Sequence, residues 1–231
     1  MALYDRDYNN STADISVDTN LGTASVTFMK QTYQLLGTSM ISSALGAYLT
    51  MPYVETISQF KWFIFGFVML MVFVGFNVTR KNPTLHLMAL FVFTFVLGVM
   101  IVPLLAMVIG QGNGMLIGNA FLMTAVLFGA LSLFAINSKS DFSSWGKPLF
   151  ITMIVIFIAS LVNIFILQSP LMYVVVTAGI LLLFSLFTIY DTQNIANGAY
   201  DSPVDAAVSL FLDFFNMFTS ILQLLGIMDN D

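Results

Sequence analysis

The chain has 231 residues, of which 58% are hydrophobic and only 8% are charged, and its formal net charge is −5. A soluble protein of this size could not bury so large an apolar fraction, so the composition predicts an integral membrane protein. The lack of a basic patch disfavours nucleic-acid binding, and the absence of cysteine excludes disulfides and thiolate chemistry.

Residues 1–27 form a polar amino-terminal stretch without an apolar run. The stretch has the composition of neither a signal peptide nor a packed element, so we expect a flexible tail. A handle for a protease or another partner is the alternative. Residues 28–231 are then predicted to form a single transmembrane domain.

Seven apolar segments follow the tail, separated by helix-breaking residues such as Pro52, Pro83 and Pro170. Each segment has about 19 residues or more, which is enough to cross a hydrocarbon core of about 30 Å. The predicted fold class is therefore all-α integral membrane, a seven-transmembrane-helix bundle. The segments are residues 29–50, 61–79, 84–109, 114–136, 148–167, 171–197 and 203–225.

The basic residues are distributed unevenly between the two sides of such a bundle. With seven crossings, six of the seven basic residues fall on the amino-terminal side, and Lys61 alone falls on the other. This bias predicts a cytoplasmic amino terminus and a carboxy terminus on the opposite side of the membrane. The six residues are Arg6, Lys30, Arg80, Lys81, Lys139 and Lys147.

The first segment contains small residues at four-residue spacing, Ser39 with Ser43 and Ser42 with Gly46. Such spacing lets two helix backbones approach closely and is typical of helix packing in membranes. We therefore expect this face of the segment to pack tightly on another helix. A conduction path along these residues is the less favoured alternative.

His86 is the only histidine in the chain and lies at the predicted start of the third segment. Its position close to the predicted membrane surface favours an interfacial residue. Histidine is also the side chain that changes its charge most readily near neutral pH, so a contribution to pH sensing is the alternative.

Two aspartates, Asp191 and Asp213, lie inside the last two apolar segments. Ser202 is a plausible N-cap for the final segment, with Pro203 at the first helical position, which leaves a corner of about five residues. At about 1.5 Å of rise per residue, each carboxylate lies about 13 Å beyond this corner. The two acids are thus predicted at matching depth in an antiparallel helical hairpin, where they can share one site if their faces match.

Paired acids at membrane depth have a limited range of roles. An ionised carboxylate there costs several kcal/mol, so intramembrane acids normally pair, become protonated or line water. Two acids in one site cannot both ionise cheaply, so Asp191 and Asp213 are expected to share a proton and to act as a proton-sensitive switch. A hydrogen-bonded structural pair that joins the two helices is the alternative.

The deprotonated pair could also coordinate Ca²⁺, which prefers oxygen ligands. Two carboxylates alone underfill a calcium shell of about six to eight ligands. Backbone carbonyls and nearby amides could complete part of it. The candidate amides are those of Gln193, Asn194 and Asn216.

Arg80 lies at the predicted end of the second segment and is a candidate counter-ion for one of these acids. An arginine bridging one carboxylate would stabilise its charged form and could latch the bundle shut. The alternative is that Arg80 only anchors the end of the segment on the cytoplasmic side, where basic residues are enriched, and has no acidic partner.

The sequence IYDTQNIANG around Asp191, followed by DAAVSLFLDFFNMFTSILQLLG around Asp213, resembles the carboxy-terminal signature of the Bax inhibitor family. This family is also called the transmembrane Bax inhibitor motif family, and the resemblance is to its bacterial form. The similarity extends more loosely over most of the chain, for example through FVFTFVLGVMIVPLL in the third segment.

The resemblance implies a seven-helix bundle with the last helix central, and a pH-sensitive calcium leak. Asp191 and Asp213 match the family's proton sensor and gate, and Arg80 matches by position an arginine that can latch to the first aspartate. It also implies the lipid bilayer, protons and Ca²⁺ as partners, with Ca²⁺ as the permeant ion, and a bacterial cytoplasmic membrane. Some bacterial relatives resemble clients or modulators of a membrane-anchored ATP-dependent protease, which is the alternative function.

An intramembrane aspartyl protease is a third hypothesis, suggested by Tyr190 next to Asp191. Such enzymes resemble one another in a second motif, GxGD, whereas Asp213 lies in LFLDFF. Phe214 and Phe215 would fill the space that glycine leaves open for a substrate backbone. We therefore expect no enzymatic activity, no catalytic residue and no cofactor.

Overall fold

The computed structural model describes the backbone of residues 4–228 and the side chains of residues 25–228. Within these limits the chain is mostly helical, with short connecting segments, and contains no strand. Short 3-10 turns occur at Met51–Tyr53 and Ser143–Trp145, and π-helical turns at Met71–Gly75 and Asn163–Leu167. The α-helices are α1 (Tyr4–Thr50), α2 (Val54–Leu70), α3 (Phe76–Thr79), α4 (Pro83–Gly110), α5 (Met115–Asn137), α6 (Gly146–Val162), α7 (Pro170–Ala196) and α8 (Pro203–Met228).

Within residues 25–228, six helical runs are long and apolar enough to cross a membrane. The prediction of seven crossings is not confirmed by this count, because residues 25–79 form one long run in it. The predicted boundaries from α4 onwards agree with the structure to within a few residues, whereas α2 begins at Val54 instead of residue 61. The tail predicted over residues 1–27 lies almost wholly outside the residues whose side chains are described, and it stays a prediction.

The small residues of α1 pack against α4, as predicted from their spacing. The Ser42 hydroxyl donates a hydrogen bond of 3.0 Å to the Phe91 carbonyl. A side chain at Gly98 would collide with the backbone carbonyl of Ser43, and one at Gly46 with that of Phe95. The absence of side chains at these glycines therefore allows close approach of the two backbones.

The helices α2 and α3, which form the second part of the helical run over residues 25–79, also pack against α4. The Phe76 ring of α3 lies edge-on to the Phe93 ring, with the ring centroids 5.3 Å apart. Ile57 of α2 is buried in a cluster with Ile101 and Leu105, further along α4. Between α1 and α2, the 3-10 turn at Met51–Tyr53 contains Pro52, which lacks a backbone N–H and interrupts the α-helical hydrogen bonds. Hence α4 contacts both parts of residues 25–79.

The corner between α7 and α8 positions the candidate site. At the end of α7, Gly198 adopts a φ of +72°, and the N–H of Ala199 donates to the Asn194 carbonyl at 2.9 Å. This pattern is a glycine-capped helix end. The Ser202 hydroxyl accepts a hydrogen bond of 3.1 Å from the N–H of Val204, so Ser202 caps α8 as predicted. The two helices therefore form a hairpin with a corner over residues 197–202.

The core is richest around α8. Half of the most apolar window of this helix is buried, the largest share among the six runs of residues 25–228. Leu210, Met217 and Leu222 are completely buried along it. α8 packs against α1, α4, α5 and α7. The acidic side chain of this helix, Asp213, therefore lies in the interior of the protein.

Candidate functional site

Asp191 of α7 and Asp213 of α8 are buried, with exposed fractions of 7% and 3%. Their carboxyl groups lie within hydrogen-bonding reach of each other, which places the two acids on facing sides of the hairpin. A hydrogen bond between two carboxyl groups requires that one of them carries a proton. Among the described residues, no N–H or O–H group donates to Oδ2 of Asp213. The two acids are therefore neighbours in the interior of the hairpin, and we call Asp191 and Asp213 the aspartate pair.

Tyr200, in the corner between α7 and α8, connects the aspartate pair to its surroundings. Its hydroxyl donates a hydrogen bond of 2.9 Å to Oδ1 of Asp191 and accepts one of 3.0 Å from the Ser209 hydroxyl. Burial, and then the negative charge of Asp191, raise the pKa of Tyr200 well above its usual value. Tyr200 therefore keeps its proton and remains a donor at physiological pH. Sequence reasoning missed this residue, because helical spacing cannot be counted through a turn.

A cavity of about 310 Å³ adjoins Tyr200 at the corner end of the molecule. We call it the corner cavity, and its polar lining comes from two regions that are distant in sequence. Tyr200 lines the cavity and its hydroxyl donates to Asp191, so this one residue contacts both the cavity and the aspartate pair. The polar residues of the lining are Asn77, Arg80, Tyr200, Asp201, Asp205 and Ser209.

Arg80 pairs with Asp205 in this structure. Its Nη2 atom lies 3.2 Å from Oδ2 of Asp205, and among the described residues no ion pair joins Arg80 to Asp191. Asp205 belongs to the first turn of α8 and lies close to Arg80, the residue that follows α3. Asp191, in contrast, accepts a hydrogen bond from the Tyr200 hydroxyl. The arginine that was expected to latch Asp191 therefore contacts a different carboxylate, and both residues line the corner cavity.

Comparison with known proteins identifies the family of the chain. The sequence profile of the family described as inhibitor of apoptosis-promoting Bax1 matches residues 25–230. The chain belongs to the Bax inhibitor family. A protein of Helicobacter pylori strain J99 is 43% identical to it over 230 residues, which cover 98% of this chain and 97% of the relative.

Two Escherichia coli proteins of the same family have informative names. In strain K12, the protein named modulator of FtsH protease YccA is 31% identical over 153 residues, covering 66% of this chain and 69% of the relative. In strain O6:H1, a protein with the same identity and coverage is named inner membrane protein YccA. The apolar helices and this family membership together make the chain an integral membrane protein.

The three amides proposed as supporting ligands have different surroundings in this Bax inhibitor family member. Gln193 is held by the loop before α6: its Nε2 donates to the Ser140 carbonyl at 2.8 Å, and its Oε1 accepts from the N–H of Phe142 at 2.6 Å. Asn216 donates to the Leu212 carbonyl of its own helix at 2.7 Å. Asn194 is half-buried in the last turn of α7. The described hydrogen bonds of Gln193 and Asn216 thus do not involve the aspartate pair.

The acidic side chains around the aspartate pair provide too few oxygen ligands for a complete Ca²⁺ coordination shell. Within residues 25–228, no group of three or more His, Asp or Glu side chains could hold a metal ion. The aspartate pair offers at most four carboxylate oxygens, whereas bound Ca²⁺ takes about six to eight ligands. Any cation at this position would need water or backbone carbonyls to complete its shell.

Apolar residues occupy the side of the pair remote from the corner. Phe214, next to Asp213 in α8, lies edge-on to the Phe121 and Phe128 rings of α5, with both centroid distances 5.6 Å. Phe214 also lines an apolar cavity of about 560 Å³, together with Phe215 and residues of α1, α4 and α5. The aspartate pair thus has a polar cavity on the side of the corner and, next to Asp213, an apolar cavity lined in part by aromatic rings.

Proposed function

We propose that this member of the Bax inhibitor family is a proton-gated cation leak, with Ca²⁺ as the favoured ion and the aspartate pair as the proton sensor. The contact between two buried carboxyl groups is the observation that carries this proposal. A purely structural contact between helices could be made with serine or threonine at a much smaller cost of burial.

The mechanism depends on how many protons the pair holds. With one shared proton, the two acids carry a single charge and bond to each other. Loss of that proton leaves two negative charges in contact at membrane depth, which is unfavourable unless a cation offsets them. The doubly ionised pair therefore attracts a divalent cation, and transport increases as the pH rises.

The corner cavity provides the proposed route by which protons, water and cations reach the pair. Tyr200 forms the boundary, since this residue lines the cavity and its hydroxyl contacts Asp191. Water entering from the cavity would supply the ligands that two carboxylates lack. The site is thus suited to the passage of a cation and not to its permanent binding.

We further propose that the chain crosses the membrane seven times and that α8 is the central helix. A single straight helix over residues 25–79 would be about 80 Å long, more than twice the thickness of a hydrocarbon core. Ser43 of α1 and Phe76 of α3 both contact α4 within the stretch from Phe93 to Gly98, which supports a reversal of the chain near Pro52. With seven crossings, the basic residues place the amino terminus and the corner on the cytoplasmic side.

Calcium flux into liposomes over a pH series tests the leak directly. We expect flux through the wild-type protein to rise with pH, and the pH dependence to disappear in Asp191→Asn and Asp213→Asn, because neither variant can share a proton between two carboxylates. Asp141→Asn removes an exposed acid of the loop before α6 and is the matched control. Equal pH dependence in all four proteins would rule out the proposal.

A second candidate function is modulation of a membrane-anchored ATP-dependent protease. It is favoured by the name of the E. coli K12 relative, modulator of FtsH protease. The polar residues 1–27 are the proposed contact region. Deletion of these residues should then weaken co-purification with such a protease, whereas Asp191→Asn and Asp213→Asn should not. Loss of association in the aspartate variants, with the deletion silent, would contradict this assignment.

We propose transport or modulation in preference to proteolysis by the aspartate pair. Phe214, which packs against two further rings, is a bulky side chain next to Asp213, where the GxGD motif of such enzymes has its glycines before the aspartate. We also propose no cofactor, because the proton and cation chemistry described above needs only carboxylates, a tyrosine and water.

A further inference from the structure

The apolar cavity next to Phe214 is separate from the corner cavity and lies between α1, α4, α5 and α8. Its volume of about 560 Å³ falls within the range of about 300–1,000 Å³ that is usual for cavities that hold a small ligand. Helices α4 and α8 contribute buried residues to its wall, such as Ile101 and Phe211. Ser43 and Tyr48 are the two polar residues of the lining. A cavity with such walls disfavours water.

The apolar cavity opens between α1 and α5 towards the outside of the bundle. Ala44 and Tyr48 of α1 line it and are exposed, and so are Gly118 and Phe121 of α5. A Cβ atom at Gly118 would meet no atom of another helix within 4 Å, so the opening is clear at this position. Because the chain is an integral membrane protein, an opening on the side of its helices faces the hydrocarbon of the bilayer.

The length of the apolar cavity matches the depth of one leaflet. Its lining on the first helix runs from Met40 to Met51, a rise of about 16 Å. One leaflet is half of a hydrocarbon core of about 30 Å. Helix α1 runs in the same direction as α4, which begins next to the corner, so the end of α1 is remote from the corner. An acyl chain of the leaflet remote from the corner can therefore extend from the membrane surface to Phe214.

Tyr48 lies where the apolar cavity meets the membrane surface. Its side chain is 78% exposed, and it lies two residues before the end of α1 at Thr50. Tyrosine favours the boundary between hydrocarbon and water, where its ring contacts lipid chains and its hydroxyl contacts headgroups and water. The level of this ring thus corresponds to the region in which an acyl chain joins its headgroup.

Hydrocarbon is the material that suits the apolar cavity. Water would find few polar partners in it, and unfilled space would leave the wall atoms without dispersion contacts. A lipid chain in the cavity contacts protein on several sides, and protein walls are packed more densely than liquid hydrocarbon. Met40 and Met51 also line the cavity, and their flexible thioether side chains adapt to a chain of variable shape.

We propose that the apolar cavity is a binding site for one acyl chain of a membrane phospholipid from the leaflet remote from the corner. The chain enters between α1 and α5, with its headgroup next to Tyr48 and its terminal part beside Phe214. It fills the space between these two helices and covers residues of α8 on both sides of Asp213 in the sequence, Phe211 and Phe214. The bound lipid is thus a part of the packing around α8.

Photolabelling of the wild-type protein tests this site without any variant. The protein is reconstituted in phosphatidylcholine vesicles that contain a small share of a phosphatidylcholine with a photoactivatable diazirine near the end of one acyl chain. After illumination, mass spectrometry locates the lipid adducts. We expect adducts within residues 211–218, although Phe211 and Phe214 are only 2% and 5% exposed and lie out of reach of the lipid around the protein. Adducts confined to lipid-facing helices such as α6 would overturn the proposal.

Two glycines of α5 provide a matched pair of variants for the same measurement. Gly118→Phe places a ring in the opening, so most of the adducts within residues 211–218 should be lost, while α6 remains labelled. Gly129→Phe is the control, because Gly129 also has open space around it but does not line the cavity. Phenylalanine favours a helical backbone more than glycine does, and thermal unfolding establishes that both variants are folded. Equal labelling of α8 in the two variants would contradict the proposal.

Two further measurements distinguish a lipid chain from other occupants. Adducts on α8 from an apolar diazirine without a headgroup, with none from the phosphatidylcholine probe, would assign the cavity to a small apolar molecule and overturn the proposal. The chain has no cysteine, so Phe121→Cys introduces a single thiol at the opening. Efficient disulfide formation between two copies of this variant in the vesicles would assign the opening to a second chain and would also overturn the proposal.

The lipid site does not rest on the proposed cation leak, and the two proposals can fail separately. Asp191→Asn should abolish the pH dependence of calcium flux and leave the adducts on α8 unchanged, because Asp191 does not line the apolar cavity. Adducts on α8 without any calcium flux would remove the leak and leave the lipid site standing. Calcium flux with adducts confined to the lipid-facing helices would have the opposite result.

Discussion

At the scale of single residues, the hydroxyl of Tyr200 determines what Asp191 can contact. It donates to the carboxylate, and Tyr200 is also one of the residues that line the corner cavity. The sequence motif around Asp191 contains no indication of this contact, since Tyr200 lies beyond a glycine-capped helix end. Only the turn of the backbone at Gly198 brings the hydroxyl back over the aspartate.

We predict that Tyr200→Phe shifts the pH dependence of calcium flux to higher pH. The variant removes a hydrogen bond that is made to the charged form of Asp191, so deprotonation of the pair becomes harder. Calcium flux at a series of pH values measures the midpoint. Tyr173→Phe, near the opposite end of α7, is the control and should leave the midpoint in place; equal midpoints in both variants would mean that Tyr200 has no influence on the pair.

Gln193 shows how a residue beside the site can have a structural role. Its amide bonds to Ser140 and Phe142 hold the loop before α6 against the end of α7. We predict that Gln193→Leu destabilises the protein by about 1–3 kcal/mol, because the buried N–H of Phe142 loses its acceptor. Denaturation in mixed detergent micelles measures this change. Asn137→Leu, an exposed amide that bonds only within its own helix, should have a much smaller effect.

At the scale of helices, the packing of α1 on α4 depends on glycine at two positions. A side chain at Gly46 or Gly98 would meet a backbone carbonyl of the facing helix, which cannot move aside as a side chain would. The spacing of small residues in α1 predicts this packing face, but it does not identify α4 as the partner. Gly37 lies on the same helix with open space around its Cα atom.

Gly46 and Gly37, both in α1, provide a matched pair of variants. We predict that Gly46→Ala destabilises the protein by about 1–3 kcal/mol, since the added methyl group forces the helices apart. Gly37→Ala should be neutral or stabilising by up to about 1 kcal/mol, because alanine favours the helical backbone. Denaturation in mixed micelles compares the two. Similar losses of stability in both variants would show that helix propensity, and not the contact with α4, governs these positions.

At the scale of the whole molecule, the side of the membrane on which each loop lies distinguishes a chain with seven crossings from one with six. We predict that single cysteines at Ser144 and Asp201 react with an impermeant maleimide from one side of a sealed vesicle, and cysteines at Thr56 and Gln111 from the other. All four residues are exposed, and the native chain contributes no thiol. If the cysteine at Thr56 reacts from the same side as that at Ser144, the chain does not reverse near Pro52.

The sequence alone determined that this is a helical membrane protein of the Bax inhibitor family with two acids at matching depth. Hydropathy, capping residues and helical rise are properties of neighbouring residues, and for that reason they can be read along the chain. The caps at Gly198 and Ser202 and the limits of α7 and α8 follow in this way.

Only the tertiary structure decided which partners the polar side chains have. Asp205 satisfies the pattern of a helix-capping acid, yet its carboxylate contacts Arg80 and His86. The sequence predicts His86 near the membrane surface but does not indicate that its ring is buried between Thr79 and Asp205. Such contacts depend on the rotation of each helix about its own axis and on which helices become neighbours, and packing over the whole bundle sets both.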